Sequence, residues 1–209
     1  MTVMTQGLHH VTAIAGAPQR NIDFYVSGLG LRLVKKTVNF DDPGTYHLYY
    51  GDEAGRPGSL ITFFPWRGIR QGQVGAGQST ATAFSVPAGS LGWWTEHFAG
   101  LGAESRVSSY SSTEERLLVS DPDGLRIELV ATAVSDPREP WDSASVPAEH
   151  AIRGQHSSVL TVREPGQTIA VLTEDLGLRV VEEHAGRTRL AAGNGSPGTI
   201  VDVIGSSIA

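Results

Sequence analysis

The chain has 209 residues, enough for one large or two small domains with a real core, and its 40% hydrophobic and 18% charged content marks it as globular rather than disordered. A net charge of -6 argues against a nucleic-acid partner, which would want a basic stripe, and the lack of cysteine excludes disulfides, thiolate nucleophiles and cysteine metal sites. No basic, then apolar, leader opens the sequence and no apolar run approaches the roughly 20 residues that span a bilayer, so a soluble, cytoplasmic protein is expected.

The first element is a strand, "GLHHVTAI" (7–14), carrying two adjacent histidines. Neighbours on a strand point to opposite faces, so one of His9 and His10 at most can face a given metal along it. "APQRNIDFYVSGLG" (17–30) follows as a helix, with Ile22, Tyr25 and Val26 at i, i+3, i+4 spacing and Gly28 or Gly30 available to end it. "LRLVKKTVNF", "YHLYYGD" and "GSLITFFPW" then read as three strands. The unit is strand, helix and three strands.

That unit recurs. "GLGLRLV" (28–34) returns as "DLGLRVV" (175–181), and the same offset carries His9 onto His156 without a gap. A fainter copy lies between them, from the strand "TATAFSV" (80–86) through the helix in "GSLGWWTEHFAGLGAES" (89–105), where Trp93 and Trp94 bury aromatic surface, to "DPDGLRIELV" (121–130). In each copy a glycine after Pro or Asp opens the last strand: Gly58, Gly124 and Gly198. The modules run over about 7–67, 78–133 and 154–205. "SDPREPWDSASVPAEHAIR" (135–153), rich in Pro, Ser and charge, reads as a linker. The expected class is α+β, built from three tandem βαβββ modules. A βαβββ sheet cannot bury both faces alone, so modules should pack in pairs. Pairing of modules one and two would make 1–134 a single domain and leave 154–209 without a mate.

Alignment of the copies exposes two positions suited to ligands. The first-strand position holds His10, Ala81 and Ser157; the last-strand position, four residues after the turn glycine, holds Thr62, Glu128 and Asp202. An iron or manganese site of the two-His-one-carboxylate kind needs two imidazoles and a carboxylate on one face. The aligned positions offer His10, Glu128 and Asp202, and no second histidine. An unpaired carboxylate on an apolar strand is costly to bury, which favours a role for Glu128; a salt bridge to an arginine explains it as well. His156 reads as structural or pocket-lining, and His47 and His97 as ordinary strand and helix residues.

The βαβββ repeat, "DPDGLRIEL" and "LGLRLV" resemble the vicinal oxygen chelate superfamily of glyoxalase, bleomycin-resistance and extradiol-dioxygenase proteins. "GLHHVTAIAG", "LGLRLVKKTVNFDDPGTYHLYYGDEAGRPGSLITFFPW" and "VPAEHAIRGQHS" are similar to its hydroquinone-type ring-cleaving dioxygenases. The resemblance implies Fe(II), or Mn(II), and a small aromatic substrate. It implies His10 as a metal ligand, with His9 and Thr12 beside the substrate as catalytic residues. The family pattern has four modules, the first packed on the fourth and the second on the third, with the other His and the Glu ligand from the fourth; the present sequence contains three. Pairing modules one and two would unite His10 with Glu128, and a homodimer could cover the unmated sheet instead. A metal-free protein that binds an aromatic ligand is the alternative, favoured by the missing second histidine. Neither nucleic acid nor membrane is expected as a partner.

Overall fold

A computed structural model describes residues 5–111, 114–132 and 135–206. Module one contains β1 (His10–Ala15), α1 (Pro18–Ile22, continued by a π-helical turn Asp23–Gly28), β2 (Arg32–Val38), β3 (Tyr46–Gly51) and β4 (Leu60–Pro65). Module two contains β5 (Gln78–Val86), α2 (Leu91–Gly100), β6 (Ser105–Ser111), β7 (Glu114–Ser120) and β8 (Arg126–Thr132). Module three contains β9 (Gly154–Val162), α3 (Pro165–Ala170, continued by a π-helical turn Val171–Asp175), β10 (Arg179–His184), β11 (Arg187–Ala191) and β12 (Ile200–Gly205). Among the described residues no helix is long and apolar enough to cross a membrane.

The repeat inferred from "LGLR" extends to backbone detail. Pro18 and Pro165 both open helices, where the missing N–H costs nothing. Both helices then widen: Leu29 N–H donates to Phe24 C=O at 2.9 Å, and Leu176 N–H donates to Val171 C=O at 3.2 Å, each spanning five residues. Gly30, Gly102 and Gly177 follow their helices at φ of 67°, 71° and 74°, the left-handed position that a glycine ends most cheaply.

The sheets settle which modules mate. Module one forms its own four-stranded sheet, β1-β4-β3-β2, with β1 parallel to β4. Modules two and three form one eight-stranded sheet, β10-β11-β12-β9-β5-β8-β7-β6, joined by antiparallel β5 and β9. The expectation that module three lacks a mate is therefore corrected. It pairs edge to edge with module two, and among the described residues the sheet of module one has one open face. The physical reason is strand pairing: β5 and β9 are nine-residue strands whose free edges match over most of their length.

Modules one and two still meet, through the helix sides of their sheets. Tyr25, Tyr50, Ile61 and Phe63 from one and Phe84, Trp94, Phe98 and Leu129 from the other fill one apolar core. Tyr25 O–H donates to Asp121 at 3.1 Å and Gly16 N–H to Asp123 at 3.0 Å across the same contact. A smaller core, Leu178, Leu190, Val201 and Val203, lies under module three. The segment 135–153 is no loose linker: Val146, Ala151 and Ile152 enter the large core, and Arg138 donates to Gly58 C=O at 3.1 Å and Gln155 C=O at 2.8 Å, tying module one to module three.

The equivalent glycines give a direct test of this packing. A Cβ on Gly30 would sit 2.6 Å from Val146 Cγ2, whereas one on Gly102 meets nothing within 4 Å. Gly102→Ala should cost roughly 1–2 kcal/mol, the left-handed penalty alone. Gly30→Ala should cost that plus roughly 1–3 kcal/mol of overpacking. Urea unfolding of the two variants checks the difference; equal costs would refute the packing of the 135–153 segment against module one.

Candidate functional site

Two sheets have inner faces that could hold chemistry, and they differ in kind. Strand alternation puts Glu128, Asp202, Glu114, Arg116, Arg187 and Arg189 on the inner face of the eight-stranded sheet. There they neutralise one another. Arg116 donates to Glu128 and Glu114 through short contacts. Arg189 donates to Asp202 Oδ1 at 2.8 Å and to Glu114 Oε2 at 2.7 Å, and Arg187 to Asp202 Oδ2 at 3.0 Å. Three arginines face three carboxylates, all but Arg187 at most 8% exposed. His156 Nε2 stands 3.9 Å from Glu114 Oε2, in the same buried group.

Burial alone would raise the pKa of Glu114, but hydrogen bonds from Arg189 and the charge of Arg116 overcome it and hold it at about 2. Asp202 is likewise held below the usual carboxylate range against its burial, by Arg189, Arg187 and Arg116. Burial pushes His156 down to about 4, with Arg116 and Arg189 adding to the effect and Glu114 opposing it. His156 is thus part of this buried charged group rather than of the open face.

The pairing of Glu128 with His10 as metal ligands is corrected. Glu128 lies on β8 in one sheet, committed to Arg116, while His10 lies exposed on β1 in the other. Asp202 is committed in the same way to Arg189 and Arg187.

Module one offers the open face. His10, Thr12 and Ile14 project from β1 on the side away from the core, all exposed, and Ile14 is 54% exposed. The β1–β4 register sets Thr12 opposite Thr62, and Tyr49 of β3 lies opposite Thr62 in turn. Four side chains then join in a row across three strands. Thr12 Oγ1 is 2.9 Å from Thr62 Oγ1, Thr62 Oγ1 is 3.1 Å from His47 Nε2, and His47 Nδ1 is 2.9 Å from Tyr49 Oη. The His47 ring centroid lies 4.0 Å from that of Phe64, tilted by 33°, and Lys35 Nζ sits 5.7 Å over the Tyr49 ring. His9 Nδ1 lies 3.0 Å from His10 Nδ1. Partial burial, then the neighbouring His9 charge, lower the pKa of His10; partial burial, then His10 and Lys35, lower that of His47. Both shifts favour the neutral ring, the form in which imidazole ligates metal or carries a hydrogen-bond relay.

The structure thus brings Thr12 together with Thr62, His47 and Tyr49, sets His9 beside His10, and separates all of them from Glu128. Reading His47 as an ordinary strand residue overlooked this row. The repeat contains the signal. Tyr49 opposes Thr62 as Arg189 opposes Asp202, and His47 precedes Tyr49 by two residues as Arg187 precedes Arg189. On β7, Arg116 stands two residues before Leu118, which opposes Glu128. His47, Arg116 and Arg187 are the same inward position in three copies.

The donors near His10 do not complete a two-His-one-carboxylate set. The described residues contain no group of three or more His, Asp or Glu arranged to hold a metal. Both ring nitrogens of His47 are taken up in the row.

Comparison with known proteins agrees with this architecture. Residues 7–129 match the model of the Glyoxalase/Bleomycin resistance protein/Dioxygenase superfamily. The chain belongs to this superfamily. Among its curated relatives, MhqE of Bacillus subtilis, assigned as a ring-cleaving dioxygenase, is 44% identical over 95% of the chain and 65% of its own length. The chlorohydroquinone/hydroquinone 1,2-dioxygenase of Sphingobium indicum is 37% identical over 95% of the chain and 63% of its own length. A crystal structure of a Bacillus subtilis protein assigned as a dioxygenase superposes with a TM-score of 0.91 at 38% identity, over 100% of the chain and 66% of that protein. Maize glyoxalase I shares the fold, with a TM-score of 0.69 at 16% identity over 95% of the chain. The chain therefore spans slightly less than two thirds of the length of the two curated relatives.

Two predictions concern the filled half. Arg116→Met leaves Glu128 buried without its cation and should cost roughly 3–5 kcal/mol, much of it restored in Arg116→Met/Glu128→Gln, as read by urea unfolding. An unrestored double variant would mean that Glu128 depends on another partner. The second concerns pH. His156 titrates at about 4 when folded and near 6.5 when unfolded, so between these values the unfolded chain binds more protons and stability falls as pH falls. Glu114, lowered from 4.5 to about 2, continues the loss below that window. His156→Gln should flatten the dependence of Tm on pH between 6.5 and 4 relative to the wild type; an unchanged slope would place the sensitivity elsewhere.

Proposed function

We propose that this superfamily member carries part of the active site of a ring-cleaving dioxygenase for hydroquinone- or catechol-like substrates, and that the site lies on the open face of module one. The observation that carries the reading is the contrast between the two inner faces: one is closed by compensated charge, the other exposes His10 and Thr12 with a hydrogen-bonded row behind them. The ring-cleaving names of relatives at 37–44% identity supply the reaction class. His10 is the metal ligand of this reading, with His9 orienting it and Thr12 beside the substrate. The metal is Fe(II), with Mn(II) as the alternative. It would provide redox chemistry toward dioxygen, for which protein ligands beyond His10 must come from a sheet packed across the open face. A second copy of the chain, forming a homodimer, can provide such a sheet.

A second reading is metal-free binding of an aromatic ligand, favoured by the incomplete donor set around His10. Anaerobic loading with Fe(II), elemental analysis and oxygen uptake with hydroquinone separate the two. Ring cleavage predicts bound iron and uptake, both lost in His10→Ala. No bound iron and no uptake in the wild type, with hydroquinone still raising Tm, would establish the binding protein instead. The oligomeric state in solution, by light scattering, tests the homodimer.

A further inference from the structure

We propose that Tyr49, His47 and Thr62 are positioning residues that make Thr12 a two-way receptor for a phenolic hydroxyl group. The inference deepens the reading above and rests on it for the identity of the ligand. Each member of the row Thr12–Thr62–His47–Tyr49 can both donate and accept a hydrogen bond, and the three links measure 2.9, 3.1 and 2.9 Å. Thr12 is exposed, Thr62 fully buried, and His47 and Tyr49 half-buried, so the row runs from the open face through a buried hydroxyl to a partly exposed phenol. Thr12 lies two residues from His10 on the same side of β1, about 6–7 Å along the strand, which is the span of one aromatic ring.

A row of such members has two states. In one, Thr12 donates to Thr62, Thr62 to His47 Nε2 and His47 Nδ1–H to Tyr49 Oη, leaving a Thr12 lone pair to accept a ligand O–H. In the other, every bond is reversed: Tyr49 donates to Nδ1, Nε2–H to Thr62, Thr62 to Thr12, and the Thr12 hydroxyl points outward to a phenolate oxygen. Passage between them carries one proton. The ligand O–H proton moves to Thr12, the Thr12 proton to Thr62, the Thr62 proton to His47 Nε2, the Nδ1 proton to Tyr49 and the Tyr49 proton to water. No charge is left on any member. The same strand positions in the other modules hold Arg116, Arg187 and Arg189, which donate only and cannot reverse. Only module one is built from reversible groups at these positions.

The test needs neither metal nor oxygen. Hydroquinone and 1,4-dimethoxybenzene are titrated into the full chain by ligand-observed NMR, with the ¹⁵N pair of the His47 imidazole reporting which nitrogen carries the proton. Tyr49→Phe and His47→Phe keep an aromatic ring at each position, and Tm confirms their folding. The expected result is that hydroquinone binds more tightly than its dimethyl ether by roughly two- to tenfold, the worth of one hydrogen bond. It should shift the His47 ¹⁵N pair while the ether does not. Both variants should lose the preference and bind the ether as before. Equal binding of the two ligands, no binding of hydroquinone, a silent His47, or a preference that survives in both variants would overturn the proposal. Hydroquinone discrimination without oxygen uptake by the iron-loaded chain would keep this inference and remove ring cleavage; uptake unaffected by Tyr49→Phe, with equal ligand binding, would do the reverse.

Discussion

The pairing of three arginines with three carboxylates between modules two and three is the interaction on which the rest of the molecule depends. Isolated charges at that depth would be prohibitively costly, and each is tolerated because its partners lie within hydrogen-bond distance. The group joins β7 of one module to β11 and β12 of the other, through Glu114 and Arg189. It therefore fixes how the eight-stranded sheet curls around the β5–β9 seam. It also closes that inner face with fixed, compensated charge, whereas the face of module one that carries His10 and Thr12 stays open.

The same logic explains why the two faces differ in composition. A dry cluster can use groups that stay ionised, because each charge has a permanent counter-charge. A face that must receive a ligand cannot be locked in this way. Module one places Thr62 where its siblings place Glu128 and Asp202, and His47 and Tyr49 where module three places Arg187 and Arg189. These groups are neutral and reversible, and they tolerate partial exposure without a large desolvation cost. The substitutions replace permanent charges with neutral groups while the strand geometry stays constant.

The repeat was legible in the sequence because it rests on local rules. The left-handed glycine after each helix, the proline that opens α1 and α3, and the alternation of the strands are all set by neighbouring residues, and the structure repeats them down to the five-residue hydrogen bonds at Leu29 and Leu176. The mating of modules was not legible in the strand pattern, since β5 could in principle have paired with module one as well as with β9; only the resemblance implied that the second module packs on the third. Long-range pairing depends on which edges match in length and register, and no single-module pattern encodes that. The role of Glu128 was legible only as an alternative. Its cation, Arg116, sits 12 residues away on another strand, with no motif to mark it.

His47 shows how the candidate site could have been read further. Taken alone it is a histidine on an alternating strand, and nothing distinguishes it. Aligned by strand register rather than by sequence similarity, it falls on Arg116 and Arg187, two residues whose side chains point into the filled cleft. A position that faces inward in two modules faces inward in the third, because strand alternation and the common curl leave no other choice. The chemistry then follows from what differs: where two modules spend that position on a permanent cation, module one holds a ring with two exchangeable nitrogens, one toward Thr62 and the other toward Tyr49. What sets the open face apart is the departure of one repeat from the other two, against a scaffold that all three share.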